Sequence, residues 1–376
     1  LSAVKKADGA GSGLDADRLD GIEAAGFWQI DGNSNTTAGT HFLGTTDDEP
    51  LELRVDGQRT LRIVPGLSGG TPTWIAGAPG NTVGAPHQGV TIGGGQATVG
   101  TNSSFATVSG GDDNSVGNNA GRTVIGGGEY NRIFDGVRGG TIGGGRENSL
   151  YAGAEYSVIA GGFHNTVMDG SRASLIVGGQ DNWVWPDADY NVIGGGKNNT
   201  IQSNATYSVV PGGWANEVGV GVDYGFAAGR SAKAHHDGAF VWADSTGGRF
   251  ASTGNDQFLI RANDGVGINT NAPAEALHVN GNVKADRFIG NGAQLTELSA
   301  DGIRTGTLDV AHFSAYSDLS VEGYLGDASW QIPTVFVADA RYVEHNEANS
   351  VAAGMLQDGA ALAEIADDDG SGSGLD

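Results

Sequence analysis

Thr141-Ile142-Gly143-Gly144-Gly145-Arg146-Glu147-Asn148-Ser149-Leu150 decides how this chain reads, because the same phrase returns at a fixed interval. Written as aliphatic, any residue, Gly, Gly, two variable residues, Asn, any residue, aliphatic, it starts at Val108, Ile125, Ile142, Ile159, Ile176, Ile193 and Val210, each 17 residues after the last. The asparagines then fall at Asn114, Asn131, Asn148, Asn165, Asn182, Asn199 and Asn216, and the closing aliphatics at Val116, Ile133, Leu150, Val167, Val184, Ile201 and Val218. Weaker copies begin at Ile75 (with Gly77, Asn81 and Val83), at Ile92 (with Gly94 and Gly95) and at Ala227 (with Gly229), so the expectation is ten coils.

A period of 17 is too short for a helix pair or a propeller blade and suits one turn of a solenoid with two short strands and two turns. Coils stacked at the strand separation of about 4.8 Å make ten of them a rod of roughly 45 Å. The glycine pair supplies corner conformations closed to other residues. The asparagine tolerates left-handed backbone and can ladder its amide with those above and below. In Tyr156-Ser157-Val158-Ile159, Asn191-Val192-Ile193 and Tyr207-Ser208-Val209-Val210, neighbouring apolar residues point to opposite faces. One face fills the coil; the other needs a cover, and an identical neighbouring chain is the expected one.

These repeats, and above all Phe226-Ala227-Ala228-Gly229-Arg230-Ser231-Ala232-Lys233-Ala234, resemble the head repeats of trimeric autotransporter adhesins of the YadA type. The resemblance implies a left-handed parallel β-roll in a homotrimer. Coils here are a few residues longer than in those heads, which gives each a longer outer turn. The flanks, Phe27-Trp28-Gln29-Ile30, Gly39-Thr40-His41-Phe42-Leu43-Gly44, Gly265-Val266-Gly267-Ile268-Asn269-Thr270 and Ala276-Leu277-His278-Val279-Asn280-Gly281, resemble connector modules of phage tail fibres and related bacterial fibres. Alternation through Leu51, Leu53 and Val55 and then Leu61 and Ile63 predicts a hairpin turned at Asp56-Gly57. From about Ala338 the sequence turns Ala-rich and helix-compatible, which reads as a stalk.

Composition narrows the function classes. Of 376 residues, 66 are glycine, over twice the usual share of about 7 %, without collagen's period. The 44 acidic against 20 basic residues give a net charge of −24, which repels nucleic acid and anionic lipid. No cysteine is present, so disulfides and thiolate metal sites are excluded. No run of about 18 apolar residues exists, so the expectation is no membrane insertion in this segment. No signal peptide is visible, and a start at Leu1 reads as an internal piece of a longer chain.

Several motifs compete for a functional reading. Gly66-Leu67-Ser68-Gly69-Gly70 matches a hydrolase elbow, but Thr71-Pro72-Thr73 follows where that motif needs a helix, so it reads as a linker. In His235-His236-Asp237 the adjacent histidines point apart in an extended segment, which disfavours a metal site. Asp47-Asp48-Glu49, Asp112-Asp113 and Asp367-Asp368-Asp369 offer oxygen ligands without the spacing of a calcium loop. No cofactor or metal is expected. The best binding candidates sit on variable turn positions: Trp183, Trp185, Asp187, Asp189 and Tyr190, joined by Tyr130, Phe163, His164 and Trp214 after the glycine pairs. Aromatic rings beside carboxylates suit glycans; the competing reading packs the same rings between protomers.

The chain is therefore expected to be mainly β: a fibrous β-solenoid at 71–235, a β connector at 27–70, a β neck at 236–298, and a partly helical stalk at 299–376, with a junction at 1–26. The expected function is a structural or adhesive module of an extracellular, cell-surface or tail-like fibre, with sister chains, neighbouring repeats and surface polysaccharide as partners and no catalysis. A polysaccharide-degrading solenoid with paired acids in a cleft and a scaffold without ligand are the alternatives. Leu1, Val4, Asp8-Gly9 and Gly11-Ser12-Gly13-Leu14-Asp15 match Leu362, Ile365, Asp369-Gly370 and Gly372-Ser373-Gly374-Leu375-Asp376 at a constant offset of 361, which predicts a tandem array. The full gene is expected to carry a second copy of the Trp28 to Thr46 segment at that offset; its absence would end the tandem reading.

Overall fold

Each copy of the phrase folds into one coil. In the computed structural model, residues 32–287 are described, together with 18–19, 22–23 and 289–290. The residues before each glycine pair, such as Val158–Ile159, form one parallel sheet, the front sheet. Those around each repeat asparagine, such as Thr166–Val167, form a second, the back sheet. Strands of only two residues cannot stand alone; each is held by the coils on either side. Ile125, Ile142, Ile159, Ile176 and Ile193 lie in register along the front sheet, Ile133, Leu150, Val167, Val184 and Ile201 along the back, and the two rows meet in a core from which water is excluded.

The back sheet has 11 strands, one per coil, so the array is one coil longer than the phrase spacing predicts. The extra coil, Phe240–Ala243 with Phe250–Ala251, is hidden from the pattern because Ala227 pairs with Val241 and Val241 with Leu259, intervals unlike 17. Residues 236–261 thus continue the roll instead of opening a neck. The front sheet ends at Phe258–Arg261, and Val266–Ile268 then pairs in parallel with Leu277–Val279.

At the other end, Leu51–Val55 and Gln58–Val64 form the hairpin, with Asp56 and Gly57 both at positive φ. Its second strand pairs antiparallel with Thr73–Ala76 and so covers the first edge of the front sheet. Among the described residues there is no α-helix, only a 3-10 turn at Leu67–Gly69 that leads into extended Thr73. The helical stalk expected at 299–376 and most of the junction at 1–26 lie outside the described residues.

Asparagine binds coil to coil. Asn165 N donates to Asn148 Oδ1 (3.0 Å) and Asn182 N donates to Asn165 Oδ1 (3.1 Å). Asn165 Nδ2 also donates to the carbonyls of Gly161 and Gly179, each at 3.0 Å. The chain of amides runs unbroken from Asn114 to Asn216 and ends on Ala232 N. Left-handed backbone falls one residue earlier than the sequence suggests, on Tyr130, Glu147, His164, Asp181 and Asn198, whose φ lies between 55 and 57°. It also falls on the last glycine before them. Gly162, at φ 96°, shows why: a Cβ there would strike the Gly179 carbonyl and Asn165 Nδ2.

A second ladder is built from smaller groups. Ser174 N donates to Ser157 Oγ (3.1 Å), Ser208 N to Asn191 Oδ1 (2.8 Å) and Gly225 N to Ser208 Oγ (2.9 Å), all buried. Replacing Asn165 with Ala removes one buried acceptor and two donations, leaving Asn182 N and the Gly161 carbonyl unsatisfied, while the Gly179 carbonyl keeps the Phe163 N–H. At roughly 1–3 kcal/mol per orphaned group, Asn165→Ala is expected to cost about 2–4 kcal/mol in denaturant unfolding; an unchanged midpoint would show that the ladder does not hold the coils.

Candidate functional site

The two sheets present unlike outer faces. On the front face the outward row runs through Val158, Leu175, Val192 and Val209 into Phe226, Phe240 and Phe258. The phenylalanines stack at 4.3 and 4.4 Å between ring centroids. Two residues further on, Gly126, Gly143, Ala160 and Gly194 keep the neighbouring row low, while Val177 and Pro211 in the same row stand out from it. Tyr190, Tyr207 and Tyr224 form a stack at the adjoining corner, at 5.2 and 5.5 Å. On the back face the outward row is hydroxylic and charged: Thr82, Thr98, Ser115, Arg132, Ser149, Thr166, Trp183, Thr200, Glu217 and Lys233.

The residues singled out from the sequence are divided among three places. Trp183 and Trp185 do meet, at 6.1 Å on the back face, and His164 stands edge-on to Trp183 at 5.5 Å with Phe163 beside it. Phe163 and Trp214 occupy a third row of parallel bridges at the glycine corner, with Gln180 and Lys197 between them. Arg146 lies over the Phe163 ring at 5.8 Å and Arg230 over Trp214 at 5.0 Å. Tyr130 falls on the left-handed position next to that row. Asp189 is committed to its neighbour below: Arg172 N donates to Oδ1 (2.7 Å) and Arg172 Nη2 to Oδ2 (3.1 Å), which holds the guanidinium more firmly protonated than usual. Tyr190 has turned to the front corner. Asp187, on the left-handed position of the outer turn, links through its N–H to Asp169. The group is therefore split by the turn that separates the two sheets, a separation that closeness in sequence conceals.

His235 and His236 are held apart. His236 Nδ1 pairs with Ser252 Oγ at 2.9 Å, while Arg249 Nη2 donates to His235 Nδ1 at 2.9 Å. His235 Nε2 lies 3.2 Å from Glu217 Oε1, which Lys233 also approaches through Oε2 at 2.9 Å. Asp237 Oδ1 accepts from Asp223 N at 3.0 Å. Among the described residues no group of three His, Cys, Asp or Glu converges as metal ligands. Ser68 sits in the exposed 3-10 turn.

Two features escape the sequence because neither repeats. Asp244 closes the last coil by accepting from Thr246, from Asn263 N (2.7 Å) and from Arg261 Nε (3.2 Å), and these donors, the Thr246 hydroxyl foremost, bring its carboxyl down to about 2. The other is a groove on the back face where Gly84, Gly100 and Gly117 give way to Phe134.

His235 carries a pH consequence. Burial lowers its pKa below the ordinary 6.5, with the Arg249 and Lys233 charges acting in the same sense and Glu217 opposing. The unfolded chain then binds the proton more readily, so stability is fully present above pH 6.5 and declines as pH falls through 6.5 towards the folded value. Arg249 would also have to leave, since protonated Nδ1 cannot accept its donation. Thermal unfolding followed from pH 7.5 to 5 is expected to show this decline and His235→Gln to flatten it; identical slopes would remove His235 as the cause. No family model matches the sequence, and no curated protein does either.

Proposed function

We propose that this chain is a stiff module of an extracellular fibre, assembled as a homotrimer through its front face, with the back face left free for surface polysaccharide. The observation that carries the reading is the outer row of the front sheet, apolar from Val158 to Phe258, which is 68 % exposed in the single chain, and carrying Thr91, Thr107 and Thr141 in the earlier coils. Exposed apolar surface of this extent marks an interaction site, and each Å² covered by a partner contributes about 25 cal/mol. Three copies related by rotation cover three such faces at once and leave none over. Gly126, Gly143, Ala160 and Gly194 beside it support close approach in those coils, and the exposed Val177 adds to the apolar surface.

The back face supports the outward role. Its row of hydroxyls interrupted by Trp183, with Trp185 in the row beside it, resembles an amphipathic surface that works in water, where rings meet the apolar side of a sugar and hydroxyls meet its rim. A rod of coils with no cysteine and a net charge of −24 suits a soluble, extended spacer outside the cell.

Light scattering on the purified chain is expected to give three times the 38.2 kDa chain mass. Val192→Glu, which places a charge on the outer row without touching the core, is expected to give the single-chain mass with an unchanged circular dichroism spectrum. A single-chain mass for the unsubstituted protein would overturn the assembly. Release of reducing ends from a polysaccharide would favour a degrading enzyme instead.

A further inference from the structure

We infer that the groove on the back face at Arg132 and Phe134 binds an acidic saccharide, with a pyranose ring stacked on Phe134 and its carboxylate on Arg132. The inference rests on the reading of the back face as the free one. The groove has a volume of about 420 Å³ and is lined by Thr82, Thr98, Ser115, Arg132, Phe134 and the glycines of three successive coils.

Phe134 stacks on Tyr151 of the next coil at 4.3 Å and 16° between ring planes. Its other ring face is turned towards the previous coil, where the corresponding residue is Gly117 in place of a third aromatic ring. The stacking series therefore stops one ring short, and the ring face of Phe134 on that side borders the groove, with the Asp135 carboxylate set against Gly117 at its edge. A sugar ring offers C–H groups to an aromatic face at the same separation.

Three hydroxyls and one guanidinium around the groove are uncommitted, while Thr101, Asn118 and Asp135 bond one another. Thr82, Thr98 and Ser115 stand in register, one hydroxyl per coil, and none of these hydroxyls is bonded to another group among the described residues. At about 4.8 Å per coil their spacing is close to one sugar residue of an extended chain. Arg132, the register partner of Ser115, is exposed and has no carboxylate within 4.0 Å among the described residues, whereas Arg172 and Arg261 each have one and Arg146 has two. A planar guanidinium left unpaired beside an aromatic face matches a carboxylate held in two-point geometry. Asp135 at the rim is held towards Asn118, its two oxygens accepting from Asn118 N (2.8 Å) and Asn118 Nδ2 (3.2 Å), with no cation paired to it among the described residues.

Calorimetric titration of the full chain with a β-linked glucuronic acid hexasaccharide, beside the neutral glucose hexasaccharide of the same linkage, tests this. The acidic chain is expected to bind more tightly than the neutral one. Arg132→Gln is expected to lose about tenfold for the acidic chain and to erase the preference, and Phe134→Ala to lose about tenfold for both. Tyr224→Ala, in the tyrosine stack at the front corner, is expected to bind as the unsubstituted protein does. Equal binding of the two sugars, no binding of either, or undiminished binding in Phe134→Ala would overturn the assignment. Light scattering on the same samples separates the two readings: a trimer that binds neither sugar sinks this site alone, and a single chain that binds the acidic sugar sinks the assembly alone.

Discussion

A coil of this protein is one side chain thick, so its interior has no room for water and no tolerance for an unpaired polar atom. The buried asparagine answers that constraint. Its oxygen takes the backbone N–H of the equivalent asparagine in the next coil, and its nitrogen closes two glycine carbonyls at the corner. Each coil can be satisfied only by another of the same length and register. That requirement explains the regular period, because an extra residue between asparagines would displace every amide above it. It also explains the glycine content: the corner beneath each asparagine brings two backbones so close that any Cβ collides.

Filling the interior in this way dictates what the outside can do. With strands of two or three residues, one side chain per strand points in and its neighbour points out. On the front sheet the outward neighbour is threonine in three early coils and from the Val158 coil onward Val158, Leu175, Val192 or Val209; on the back sheet beside these later coils it is Thr166, Trp183 or Thr200. The coil geometry is the same for both, so the contrast is one of sequence alone. It gives one molecule a side fit for burial and a side fit for water, and the proposed assembly and the proposed saccharide site follow from that division.

The repeat makes the solenoid legible in the sequence itself. Ile142 and Leu150, with a glycine pair and Asn148 between them, state in nine residues where two strands, a corner and a ladder must be. What the phrase cannot show lies where the period breaks or where neighbours in sequence part in space. Val241 and Leu259 continue the front sheet at intervals of 14 and 18, so the last coil escapes the pattern. Trp185 and Tyr190 are five residues apart yet face different sides, because a left-handed residue and a proline turn the chain between them. Asn148 has ordinary backbone; the left-handed conformation is carried by Glu147, a residue whose type gives no hint of it. The step from Gly117 to Phe134 can be read only once coils are laid on one another.

Amide hydrogen exchange measured along the roll tests the central claim most directly, because the ladder assigns a specific bond to specific N–H groups. The account predicts that the amides of Asn148, Asn165, Asn182 and Asn199 are among the slowest to exchange, with protection falling towards both ends of the stack. Exchange of these four as fast as the amides of the Leu51–Val55 hairpin strand would contradict it.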